Sequence, residues 1–111
     1  MKLKTSELTG LALDYAVAIA QRWEIVIITE YSPSTDWEQC GQLIEKYIDD
    51  LTHMAFRGDH WVANCRAVLV DDFSIFKTQT GDTPQIAICR AVVAAQSGDE
   101  VDIPDELLEG V

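Results

Sequence analysis

The sequence predicts an α+β domain, with about three helices packed on a small, mostly antiparallel sheet. Three observations lead there. Residues 6–21 repeat apolar side chains at helical spacing. Residues 23–29 and 61–70 have the composition and length of strands. Gly81-Asp82-Thr83-Pro84 opens an apolar stretch that closes at Gly98, the punctuation of a third helix. With 111 residues, 48% hydrophobic and 24% charged, the chain has the size and balance of one domain spanning 1–111.

In the first helix, Leu8, Leu11, Ala12, Tyr15, Ala16 and Ile19 form the expected core-facing stripe, with Glu7, Asp14 and Gln21 opposite. Thr5 or Ser6 is placed to cap it. Gly10 inside it costs about 1 kcal/mol relative to alanine. Trp23-Glu24-Ile25-Val26-Ile27-Ile28-Thr29 reads as a buried strand. A second helix follows Ser34, Thr35 or Asp36 as cap and presents Leu43, Ile44, Tyr47, Ile48 and Leu51 to the core. Gly41 is expected to delay its start to about Gln42. Around Arg57-Gly58-Asp59 the pattern breaks into a turn, and Trp61 to Val70 continues as a hairpin through Phe73 to Thr78.

The third helix is apolar almost all round. Ala87, Ala91, Ala94 and Ala95 give a small-residue face, while Ile86, Ile88, Val92 and Val93 fill much of the rest. Such a helix belongs in the middle of a fold. Arg90 interrupts it and calls for a compensating partner. Asp14, Asp36 and Glu45 are the candidates, with Asp36 favoured because its loop can close over the helix.

The net charge of -11 is concentrated toward the C-terminus, where residues 99–111 carry six acids and no base. That balance disfavours direct binding to phosphate backbones. The segment reads as a solvated acidic tail, with a DNA-mimicking surface as the sharper alternative. No run is apolar enough for a membrane span and the first residues lack a signal peptide's pattern, so a cytoplasmic protein is expected. Cys40, Cys65 and Cys89 are widely spaced and suit buried free thiols.

Residues 31–37, Tyr-Ser-Pro-Ser-Thr-Asp-Trp, hold the candidate site. Tyr31 and Trp37 can frame a ligand or partner while Ser32, Ser34, Thr35 and Asp36 make directional hydrogen bonds, with Arg90 as a charge partner. The structural alternative is that Trp37 fills the core and the hydroxyls only cap a helix. Catalysis finds less support. His53 and His60 sit in no recognisable catalytic motif, the cysteines and histidines lack zinc spacing, and no glycine-rich phosphate loop joins a strand to a helix. No catalytic residue, metal or cofactor is assigned.

Several stretches also resemble a known family in collinear order. Leu8-Thr9-Gly10 with Ala12-Leu13-Asp14-Tyr15-Ala16-Val17-Ala18, the 31–37 segment, and Leu43-Ile44-Glu45 are similar to the NinX-like proteins of lambdoid phages and prophages. So are Trp61-Val62-Ala63, Thr83-Pro84 with Ala87 and Arg90, and Gly98-Asp99-Glu100-Val101 with Pro104. The chain departs at Gly41-Gln42, where family members often carry Gly-Pro. The resemblance implies a phage or prophage accessory protein in a bacterial host and carries no established activity.

Taken together, the expected function is a non-catalytic module that binds a host or phage protein. The alternative is a small-molecule binder or small enzyme with a pocket around residues 31–37, which requires Asp36 and Arg90 to meet. Exposed strand edges make a homodimer a further expectation.

Overall fold

The computed structural model describes residues 1–22, 31–55, 58–70 and 73–107. Strand β1 (Lys2–Lys4) leads through a 3-10 turn (Thr5–Glu7) into helix α1 (Gly10–Ala20). Helix α2 (Trp37–Tyr47) runs directly into β2 (Ile48–Met54), followed by β3 (His60–Val70) and β4 (Phe73–Gly81). Helix α3 (Pro84–Ser97), strand β5 (Glu100–Asp102) and a short turn (Asp105–Leu107) complete the order. Strands β2, β3 and β4 form an antiparallel sheet with β3 central, and β1 pairs antiparallel with β5 as a separate ribbon. The architecture is α+β. The strand expected over 23–29, with Trp23, lies outside the described residues, as does Arg57.

Helix α3 is the centre. It packs on β3 and β4 and against α1 and α2, and Ala87, Ile88, Cys89, Ala91, Val92, Val93 and Ala94 are all buried. Its start is built as the sequence implies. Thr83 Oγ1 accepts from the Ile86 amide at 3.2 Å, Pro84 occupies the first turn, and Gly98 stops the helix with φ +98°. Small residues let the sheet come close: Ala63 and Cys65 of β3 and Gly81 of β4 are buried.

Helix α1 departs from expectation in both start and orientation. Thr5 and Ser6 do not cap it. Thr5 instead fixes the chain to the end of α3, its amide donating to Asp99 O at 2.8 Å and its hydroxyl to Gly98 O at 2.7 Å. The helix begins at Gly10, whose φ of +56° suits glycine. The expected stripe is rotated: Leu13, Val17 and Ala18 are fully buried with Asp14, while Leu11 (51%) and Ile19 (42%) are exposed. A helix this apolar has no polar side to fix its orientation, so packing against α3 decides it.

Helix α2 begins at Trp37, five residues before the expected start, because the Asp36 carboxylate caps it by accepting from the Glu38 amide at 2.9 Å. Gly41 is tolerated inside it. The helix stops at Tyr47, so Ile48 and Leu51 belong to β2 rather than to a longer helix. Pairing from Ile48 with Cys65 to Met54 with His60 overrides the helical continuation that their spacing implied. Gly58, with φ +97°, lies between β2 and β3, while Arg57 of the expected turn falls outside the described residues. The hairpin of β3 and β4 also holds, although β4 extends to Gly81.

The acidic segment is not a free tail over its described length. Lys2, Leu3 and Lys4 pair with Asp102, Val101 and Glu100, and Ile103 is 1% exposed. The backbone is docked while the acidic side chains remain in solvent.

Two glycines separate close packing from propensity. A Cβ on Gly81 meets Ala87 N at 2.6 Å and Ile86 Cγ2 at 2.8 Å, whereas a Cβ on Gly41 meets nothing within 4 Å. Denaturant unfolding should show Gly81→Ala destabilised by about 1–3 kcal/mol and Gly41→Ala stabilised by about 0.5–1 kcal/mol. Equal effects at the two positions would contradict the close approach of α3 to β4.

Candidate functional site

The loop entering α2 is held by its own backbone and by α1. Thr35 and Asp36 amides both donate to Ser32 O, at 3.1 and 2.8 Å, closing a turn around Pro33 and Ser34. Pro33 is fully buried, and the Ser32 amide donates to Gln39 Oε1 at 2.6 Å. The Ser34 amide donates to Asp14 Oδ1 at 2.9 Å, joining the loop to α1 through a buried carboxylate. Gln21 Nε2 donates to the Tyr31 hydroxyl at 2.7 Å. These contacts fix the loop before any partner arrives, which lowers the entropy cost of binding.

The tethering groups have shifted protonation behaviour. Burial pushes the Asp14 carboxyl above its ordinary value, opposed by the Ser34 amide and by the Ser34 hydroxyl nearby. Ser34 is 4% exposed, and its hydroxyl has no hydrogen-bond partner among the described residues. Burial raises the Tyr31 phenol to about 12, against the lowering effect of Gln21. Cys40 and Cys89 are both fully buried, and contact with Cys40 together with burial holds the Cys89 thiol well above its ordinary value. All three cysteines are free and buried, as the sequence implied.

The structure thus separates the predicted site residues. Tyr31, Ser32 and Ser34 face inward to different degrees, whereas Thr35, Asp36 and Trp37 are exposed. Trp37 is 50% exposed and does not fill the core. Asp36 caps α2 and does not pair with Arg90. Arg90 instead donates from Nε to Leu8 O at 2.9 Å and from Nη1 to Thr80 O at 2.8 Å. Those carbonyls lie before α1 and in β4, so Arg90 clips three segments together. Burial lowers its pKa, and the Asp82 carboxylate acts in the opposite direction.

Among the described residues, Asp36 and Arg90 do not pair with each other, as the expected pocket required. Clefts open elsewhere. One of about 280 Å³ lies between α1 and the β5 region, lined by Tyr15, Ile19, Val101 and Ile103 among others. Another of about 340 Å³ is lined by Tyr47, Arg66 and Gln96 with the charged Glu45, Lys46 and Asp49. His53 contacts Asp59 at 3.8 Å and lies tilted by 49° against the Trp61 ring, while His60 Nδ1 faces Gly58 O at 2.9 Å.

Residues 4–96 match the family described as Bacteriophage P22, NinX. The chain belongs to this family. No curated protein matches the chain. The NinX match takes in α1, the 31–37 loop, the three-stranded sheet and nearly all of α3. It ends before Gly98-Asp99-Glu100-Val101, so the docked acidic segment lies beyond the matched range. Within the described residues, no helix is long and apolar enough to cross a membrane.

The sequence reading missed Asp14, Gln21 and Gln39 as the groups that hold the loop. Only Asp14 left a signal, as the one charged residue in Gly10–Ala20. An isolated acid in an apolar helix needs a donor, and the Ser34 amide supplies it.

This buried acid sets a pH dependence. Its folded pKa lies above the ordinary 3.8, so the unfolded chain releases the proton first as pH rises. The stability it permits is full below the unfolded value and falls as pH rises, until the folded carboxyl also ionises. Asp14→Asn keeps an acceptor for Ser34 and removes this loss. Unfolding at about pH 3 and about pH 7 should therefore shift the difference toward the variant at the higher pH. Parallel stability curves for the two proteins would show that burial does not perturb Asp14.

Proposed function

We propose that this NinX-family phage protein is an accessory, non-catalytic binding module that contacts a host or phage protein through the ledge carrying Trp37. The observation that carries this reading is a half-exposed tryptophan on a pre-arranged loop. Tryptophan supplies much of the energy in protein interfaces, and its indole N–H adds direction. Asp36 and Thr35 are exposed beside it and offer polar contacts at the rim. In and behind this loop, the Ser34 hydroxyl and the Cys40 and Cys89 thiols are buried. That arrangement favours recognition over turnover.

The test is affinity capture from lysates of a host with and without the phage, read by quantitative mass spectrometry. Trp37→Ala should reduce the specific partner by at least ~10-fold, while Phe76→Ala, another exposed aromatic position, leaves it unchanged. Because Trp37 is half exposed, its variant should stay within about 1 kcal/mol of the parent in stability. Undiminished capture by Trp37→Ala would remove the ledge from the interface. Loss on joint Glu100→Lys and Glu106→Lys substitution instead would assign binding to the acidic surface.

A further inference from the structure

The structure assigns Cys40 and Cys89 as a peroxide-oxidisable pair, which closes to a disulfide between α2 and α3 in the folded chain. Cys40 lies near the start of α2 and Cys89 in the middle of α3, and these helices pack on each other. Both side chains are fully buried, both thiols are free, and they hydrogen-bond to each other. Burial alone would leave them inert. The contact makes them unequal: Cys89 donates to the Cys40 sulfur, which lowers the Cys40 pKa and raises that of Cys89. Cys40 is therefore the nucleophile and Cys89 the resolving thiol.

Helix α2 supplies the route to the buried pair. Its buried side chains are Cys40 and Leu43, and Gly41 between them weakens the helix. So few buried contacts make α2 the element that opens locally and admits a small oxidant. The Cys40 thiolate then attacks hydrogen peroxide: an S–O bond forms, the O–O bond breaks, and the departing hydroxide takes up the proton Cys40 released. The Cys89 sulfur next attacks the Cys40 sulfenic acid. The S–S bond forms, the S–O bond breaks, and a second water leaves with the Cys89 proton. The two thiols lose two electrons and the peroxide gains them. An S–S bond of about 2.0 Å is shorter than a thiol hydrogen bond, so the helices close slightly, and α2 is the one able to give. The bond then forbids the opening that admitted the oxidant, and holds α2, with Trp37 at its start, on α3. Cys65 is the internal reference. It is equally buried on β3, burial pushes its thiol up to about 11, and that thiol donates to Arg66 O at 3.8 Å.

Treating the reduced full chain with excess hydrogen peroxide, then unfolding and alkylating it, tests this by mass spectrometry. Alkylable cysteines should fall from three to one, with Cys40 joined to Cys89 and Cys65 alkylated, and dithiothreitol should restore all three. Cys65 lies between the pair in sequence, so a bond from either of them to it closes a loop about half as long. An unfolded chain favours those shorter loops, and selective joining of Cys40 to Cys89 reports the folded contact. Cys89→Ser should stop at a Cys40 sulfenic acid that dimedone traps, while Cys40→Ser should cut that trapping by ~10-fold or more. In the oxidised parent, hydrogen exchange of the α2 amides should slow by ~10-fold or more. Bonds to Cys65, three cysteines still alkylable, sulfinic acid on Cys40 with Cys89 free, or unchanged α2 exchange overturns the pairing. The peptide map uses the parent chain, so it decides even if a variant misfolds. The pair closes whether or not Trp37 contacts a partner, so the two proposals fail separately.

Discussion

Helix α3 has almost no side to offer water, and the rest of the fold follows from the need to cover it. The sheet takes one side, α1 and α2 take others, and the 3-10 turn meets its end. Its alanines and Gly81 of β4 bring backbones close, so coverage comes with little room for added volume. Arg90 is the sole charge in the helix, and it is accommodated by two main-chain carbonyls rather than by a carboxylate. That choice ties the covering segments to one another as well as to the helix. A salt bridge to one acid would have joined only two elements.

How much of this was legible depended on local punctuation. Thr83-Pro84 and Gly98 marked α3 correctly because cap and stop are local chemistry. The β3–β4 hairpin was readable for the same reason. Orientation of α1 was not, since Leu11, Leu13, Val17 and Ile19 are equivalent hydrophobes until α3 selects among them. β2 was hidden because Ile48 and Leu51 continue the helical spacing of Leu43 and Ile44, and only pairing with β3 turns them into a strand. The partner of Arg90 was misread because a main-chain carbonyl leaves no mark in the sequence.

At the 31–37 loop, capping and exposure are divided between neighbours. Asp36 performs the helix entry, which frees Trp37 to stand outward as the first residue of α2. Ser34 and Tyr31 turn inward to hold the segment. The sequence marked a helix entry at this segment, whereas its anchoring needed Asp14 and Gln21, which lie on or beside a different helix. The family match spans this whole arrangement and gives the chain its phage context.

The β1–β5 ribbon has a consequence for biosynthesis. Leu3 pairs with Val101, and Thr5 uses acceptors at Gly98 and Asp99. A nascent chain therefore makes β1 nearly a whole domain before the strand it pairs with. Until residues 98–102 leave the ribosome, the segment before α1 lacks its anchor and α3 lacks its closing turn. The closure of this ribbon spans nearly the whole described length, so it carries the loop-closure cost of a long-range contact.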